Sequence, residues 1–243
     1  MATSGKRTSY PADELIHHRR EFLKKGAIIG TLTGIAALGL VARCSKGDDE
    51  EISPAEDLMR EHGVLNRIML VYDTCQSRLI SNEQFPMEAL NNAAQLIKTF
   101  IEEYHEKLEE DFLFPRFINA KQLVALVQLL YIQHSTGRKI TDQVLQLTNP
   151  KWATNAEDTQ KLIVLMNDFN RMYRPHEARE DTVLFPALRK IVSKKEYYAL
   201  GEDFEKKEHE LFGKDGFEAI VAQVEGIEKQ LGIFDLSPFT PIV

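Results

Sequence analysis

From residue 53 onward, apolar residues recur at intervals of three and four in long stretches, the period of helices that bury one face. Ser53-Pro54-Ala55-Glu56 combines a capping box with proline at the first helical position, which predicts a helix start. That helix is expected to reach about Leu79, with Leu58, His62, Leu65, Met69 and Tyr72 along its inner stripe. Pro86 opens a second helix with Ile97, Ile101, His105, Glu109 and Phe112 on one face, and Pro115 is expected to end or kink it. A third is predicted over residues 121–147, aligning Leu123, Val127, Leu130 and His134, with Asn149-Pro150 as its break. Asn155 caps a fourth, whose inner face holds Leu162, Leu165, Phe169, His176 and Glu180. Short connections between four long helices predict an all-α, up-down four-helix bundle. A further capping box at residues 193–196 starts a fifth helix towards Phe212, and a Gly-rich break at residues 213–216 precedes an amphipathic segment ending near Leu231. The tail from Asp235 is expected to pack as an extended strap. The domain reading is residues 1–50 as a separate leader and link, 51–190 as the bundle, and 191–243 as a helical extension packed on it.

Within this pattern lies an internal repeat of polar residues. HEKLEEDFLFP begins at His105 and HEAREDTVLFP at His176, an offset of 71 residues. Each copy is preceded by a lone histidine, His62 and His134, at 43 and 42 residues. Helical residues four apart share a face, so His105 with Glu109 and His176 with Glu180 point the same way. His62 and His134 lie within apolar stripes that must face the interior. Four imidazoles and two carboxylates inside a helical bundle suit non-haem iron, with manganese or zinc as chemical competitors. Glu109 and Glu180 can each bridge two metal ions, and Glu110 and Asp181 stand where a further ligand or an acceptor for a histidine N–H is expected. A lone histidine on an apolar face is more often a packed core residue than a ligand; the matched offsets of His62 and His134 are what favour the ligand role.

A net charge of −7 argues against a nucleic-acid partner, because no basic surface matches a phosphate backbone. Cys44 and Cys75 are the only cysteines, so no disulfide framework is expected; Cys75 is expected to be buried. Arg19-Arg20-Glu21-Phe22-Leu23-Lys24 followed by the uncharged stretch 27–42 resembles a twin-arginine export signal. It implies the twin-arginine export machinery as a partner, a periplasmic or other extracytoplasmic location, and a folded, metal-loaded cargo. The uncharged stretch is too short and weakly apolar for a stable membrane span, so anchoring through this segment, or lipidation at Cys44, is the lesser reading.

The set His62, His105-x-x-x-Glu109, His134 and His176-x-x-x-Glu180 resembles the hemerythrin-like (HHE cation-binding) family. The resemblance implies a four-helix bundle of that type, with a centre of two iron ions and dioxygen or peroxide as the small ligand. Two departures from the oxygen carriers stand out. Arg138 occupies the place of a second histidine on the third helix, and Asp181 competes with Glu180 for the carboxylate role, Glu180 being preferred because it preserves the symmetry with Glu109. Three function classes follow: oxygen binding or sensing, an iron-dependent peroxidase or oxidase, and a helical interaction module with a purely structural metal. Of the remaining polar residues, Arg138 is expected to snorkel or to pair with a nearby acid, Tyr131 and Tyr173 to be core, and His209 to form a surface pair with Glu205.

Overall fold

Four long helical rods form the bundle, and the first and fourth start at side-chain caps that the sequence carries. In the computed structural model, which describes residues 53–149 and 155–242, α1 spans Pro54–Ile80, with the Ser53 hydroxyl accepting from the Glu56 amide at 3.3 Å. The second rod, α2, covers residues 87–119: helix Met87–Leu96, wide turns at Ile97–His105, one α turn at Glu106–Leu108, wide turns again at Glu109–Leu113, and helix Phe114–Asn119. The third, α3, is Val124–Leu147. The fourth, α4, begins as Ala156–Arg179 under an Asn155 cap, widens at Glu180–Leu184 and continues as Phe185–Ile191. No strand occurs among the described residues.

Three expectations need correction. Pro115 does not end its helix; α2 runs on to Asn119. A proline lacks the N–H for the bond to the carbonyl four residues back and crowds that carbonyl. The backbone answers by widening to π geometry just ahead of it, and it does the same before Pro186. The third helix starts at Val124 rather than residue 121, because Lys121 and Leu123 adopt left-handed φ of 54° and 49° that no helix continues through. The tail does not pack as a strap: it forms one short 3-10 turn at Ser237–Phe239, with Leu236, Phe239 and Ile242 exposed.

The core runs the length of the bundle through Leu58, Leu65, Ile68, Tyr72, Ile97, Ile101, Val127, Leu130, Leu162 and Phe169. Cys75 is fully buried. Two further helices, α5 (Lys194–Phe212) and α6 (Gly216–Leu231), fold back as a hairpin over α1 and α2. Arg67 forks onto Glu228 at 2.9 and 2.6 Å, and Phe212 meets Phe100 and Tyr104 edge-on. The hairpin thus covers the α1–α2 half of the bundle, while Leu129 and Ile132 on α3 stay exposed. These helices belong to one unit, Asp48–Val243. The twin-arginine-like segment, Cys44 and Pro150 lie outside the described residues. No described helix is long and apolar enough to cross a membrane.

Candidate metal centre

All six residues singled out by the repeat are buried and converge at mid-bundle: His62 on α1, His105 and Glu109 on α2, His134 on α3, His176 and Glu180 on α4. The imidazoles meet in pairs. His62 and His105 have ring centroids 4.8 Å apart, and His134 and His176 5.0 Å, with their Nε2 atoms facing at 3.2 Å. Each carboxylate then touches one imidazole of each pair. Glu180 Oε2 lies 3.3 Å from His62 Nε2 and 3.1 Å from His176 Nε2; Glu109 Oε2 lies 3.8 Å from His105 Nε2 and 3.4 Å from His134 Nε2. The wide turns matter here. Ile97, Ile101, His105 and Glu109 follow one another at steps of four, and a backbone wider than 3.6 residues per turn keeps all four on the inner face.

What fixes the rings is a matched set of outer partners. His62 Nδ1 donates to Asp181 at 2.7 Å and His105 Nδ1 to Glu61 at 2.6 Å. His134 Nδ1 donates to Glu110 at 3.1 Å and His176 Nδ1 to the Gln133 amide oxygen at 2.9 Å. With each Nδ1 so occupied, the four Nε2 atoms turn inward and are the nitrogens left for metal ligation once their protons are displaced. Phe185 stacks on His62 and Phe114 on His134 at centroid distances of 5.6 and 5.5 Å, so the Leu-Phe-Pro of each repeat closes the site above a histidine. Glu110 and Asp181 therefore act through histidine N–H groups, one of the two roles the sequence left open.

Sequence reasoning missed Glu61, Gln133, Glu106 and Glu177. The signal was present: Glu61 and Gln133 each directly precede a lone histidine, and Glu106 and Glu177 are the second letters of the two repeats. Glu106 accepts from the Tyr173 hydroxyl at 2.6 Å and pairs with Arg138 at 2.7 Å. Arg138 also reaches Glu110 at 2.7 Å, the acid pairing expected of it. Glu177 accepts from Asn66 at 2.5 Å. Tyr173 is buried, whereas Tyr131 is 40% exposed and is not core. His209 is an exposed residue near Glu205.

The charge balance of this site calls for cations. Glu61, Glu102, Glu106, Glu109, Glu110, Glu177 and Glu180 are all buried, and buried carboxylates are rare unless paired or on a metal. No oxygen of Glu109 or Glu180 accepts a well-formed hydrogen bond. Burial, and then the charge of Glu180, push the Glu109 carboxyl well above its ordinary range. Burial also opposes the charge of Glu180, yet His176 and His62 hold it well below that range. His62 is raised to about 10 against its burial by Asp181 and Glu180, while burial and the neighbouring His62 push His105 well down. Burial lifts Glu61 and Glu177 to about 8 each. Without metal, protons must stand in for missing positive charge. The donors fit two cations: Glu109, His134, His176 and Glu180 offer ligand atoms within 4.8 Å of one another, as do His62, His105 and Glu109. A third group, Glu106, Glu110 and His134, already receives the Arg138 guanidinium on both carboxylates.

Comparison with known proteins agrees with this geometry. Among curated relatives, uncharacterized proteins of Mycobacterium tuberculosis (Rv1995) and Mycobacterium bovis (Mb2018) are each 47% identical over 190 residues, covering 78% of this chain and 74% of theirs. No solved structure matches the chain. The model of the hemerythrin HHE cation-binding domain matches residues 53–188, more than half the sequence and the stretch that holds every residue of the site, so the chain belongs to that family.

Proposed function

We propose that the protein holds two iron ions in this site and uses them to bind or sense dioxygen or a related small oxidant such as peroxide. The observation that carries the reading is the convergence of four inward Nε2 atoms on two buried carboxylates that have no protein donor of their own. His62 and His105 would hold one ion, His134 and His176 the other, with Glu109 and Glu180 between them. Iron bound there supplies a redox-active Lewis acid able to accept a small oxygen ligand. The chain's own part is to orient four imidazoles through their Nδ1 partners, to exclude bulk water with Phe114 and Phe185, and to balance charge with two carboxylates.

The test is the visible spectrum of the iron-loaded full chain as dioxygen is admitted and then removed. A reversible band change is the expected result. Sustained turnover of peroxide with an electron donor would move the reading to an enzyme. Two bound irons indifferent to both oxidants would leave a structural metal in an interaction module. For the N-terminal segment we propose recognition by the twin-arginine export machinery and an extracytoplasmic location. Changing Arg19 and Arg20 to Lys should trap the protein in the cytoplasmic fraction, and unchanged fractionation would refute it.

A further inference from the structure

The repeat superposes its inner residues closely, but its outer ones differ in charge. Equivalent positions carry Glu61 against Gln133, Asn66 against Arg138, and Asp181 against Glu110. Around the His62–His105 pair, Glu61 and Asp181 both accept histidine N–H bonds, and Glu177 lies alongside with Asn66 as its neutral donor. Among the described residues no Lys or Arg pairs with any of these three acids. Around the His134–His176 pair, one acceptor is the neutral Gln133 and the other, Glu110, shares its charge with Arg138 and Lys107. Arg138 also answers Glu106. A cation that displaces the protons these buried acids otherwise hold therefore meets three carboxylates beside the first pair, with Arg60 as the nearby basic residue acting on Glu61, and a near-balanced set beside the second.

A carboxylate on the far nitrogen of an imidazole strengthens the near nitrogen as a donor and adds negative charge close to the cation; an amide oxygen gives the same orientation without the charge. Asp181, with its side chain 35% exposed, is screened by water, so the largest unscreened difference between the halves is Glu61, which is fully buried. We propose that the two metal positions fill in order, the His62–His105 position first and the His134–His176 position second, with Glu61 and Gln133 as the positioning residues that set the order. The proposal rests on the two-metal reading above.

The experiment titrates the metal-free full chain with cobalt(II) under argon, following the visible ligand-field bands and the metal bound at equilibrium. The wild type should fill in two steps at least about 10-fold apart. Glu61→Gln should weaken the first step by about 10- to 100-fold, the usual reach of a partner behind a ligand. Gln133→Glu should tighten the second step and leave the first unchanged. Each substitution installs the residue that the other half already accommodates at the equivalent position. Circular dichroism verifies the fold, and if Glu61→Gln does not fold, Gln133→Glu decides alone. A single step in the wild type, or a second step unmoved by Gln133→Glu, overturns the ordered filling while leaving the two-metal reading intact. No cobalt bound at all overturns that reading itself.

Discussion

The α1–α2 half of the bundle and the α3–α4 half present the same histidines, bridging glutamates and stacked phenylalanines to the centre, yet they are braced from behind in different ways. Behind His62 and His105 stand Glu61, Asp181 and the Asn66–Glu177 contact, under the C-terminal hairpin. Behind His134 and His176 stand Gln133 and a network in which Arg138 joins Glu106 and Glu110, with the Tyr173 hydroxyl on Glu106. The contrast separates two tasks. The inner residues present ligand atoms and so keep the repeat; the outer ones tune charge and packing, and each half borrows acids from the other, Asp181 and Glu177 from α4 and Glu106 and Glu110 from α2.

The strongest way to break the comparison is at the residues the halves share. Glu109→Ala and Glu180→Ala should each remove most of the bound metal, because each carboxylate touches one histidine of both pairs; atomic absorption on the purified variants measures it. Retention of full metal in both variants would remove the premise of a shared centre. Next in size are the differing residues. Arg138→Ala leaves Glu106 and Glu110 without their shared cation and should destabilise by ~3 kcal/mol, the low end for a broken buried pair because Arg138 is 25% exposed. Asn66→Ala, at the equivalent position of the other half, removes the hydrogen bonds to Glu177 and to the His62 carbonyl without stranding a pair of charges and should cost about 1–2 kcal/mol. Urea unfolding of both variants reads the difference, and equal losses would mean the halves are braced alike.

Gly137 sharpens the point. A Cβ there would sit 2.0 Å from the Tyr173 hydroxyl and 2.8 Å from its ring carbons. Gly137→Ala should therefore displace Tyr173 and destabilise by roughly 1–3 kcal/mol, as overpacking does. Adding Tyr173→Phe should restore little, since the ring carbons remain too close. The smallest expected effects are the matched ones. Phe114→Leu and Phe185→Leu each remove a stack on a histidine worth on the order of 1 kcal/mol, and Phe114→Leu should cost slightly more because it also loses the edge contact with Tyr131. A large inequality between them would show that the inner symmetry is only approximate.

The bundle and its inner site were legible because both rest on helical spacing. Ser53, Asn155 and Ser193 announced helix starts, and the repeated His-x-x-x-Glu placed ligand types on inner faces. The wide turns were not legible as such, because an apolar stripe at steps of four reads as ordinary helix; two of them lie directly ahead of Pro115 and Pro186, while Ile97–His105 has no proline beside it. Glu61 and Gln133 lie about 100° around their helices from the histidines that follow them. Their partners, His105 and His176, belong to neighbouring helices, so only the packing angle reveals the bond. The tail is not a strap: Leu236, Phe239 and Ile242 stay exposed rather than packing on the helices.

The most direct test of the account is the metal content of the full chain purified from iron-replete cells. Two irons per chain is the predicted result, because two histidine pairs share two carboxylates. No metal, or a single zinc that persists when Glu109 and Glu180 are replaced, would contradict it and reduce the repeat to bundle packing.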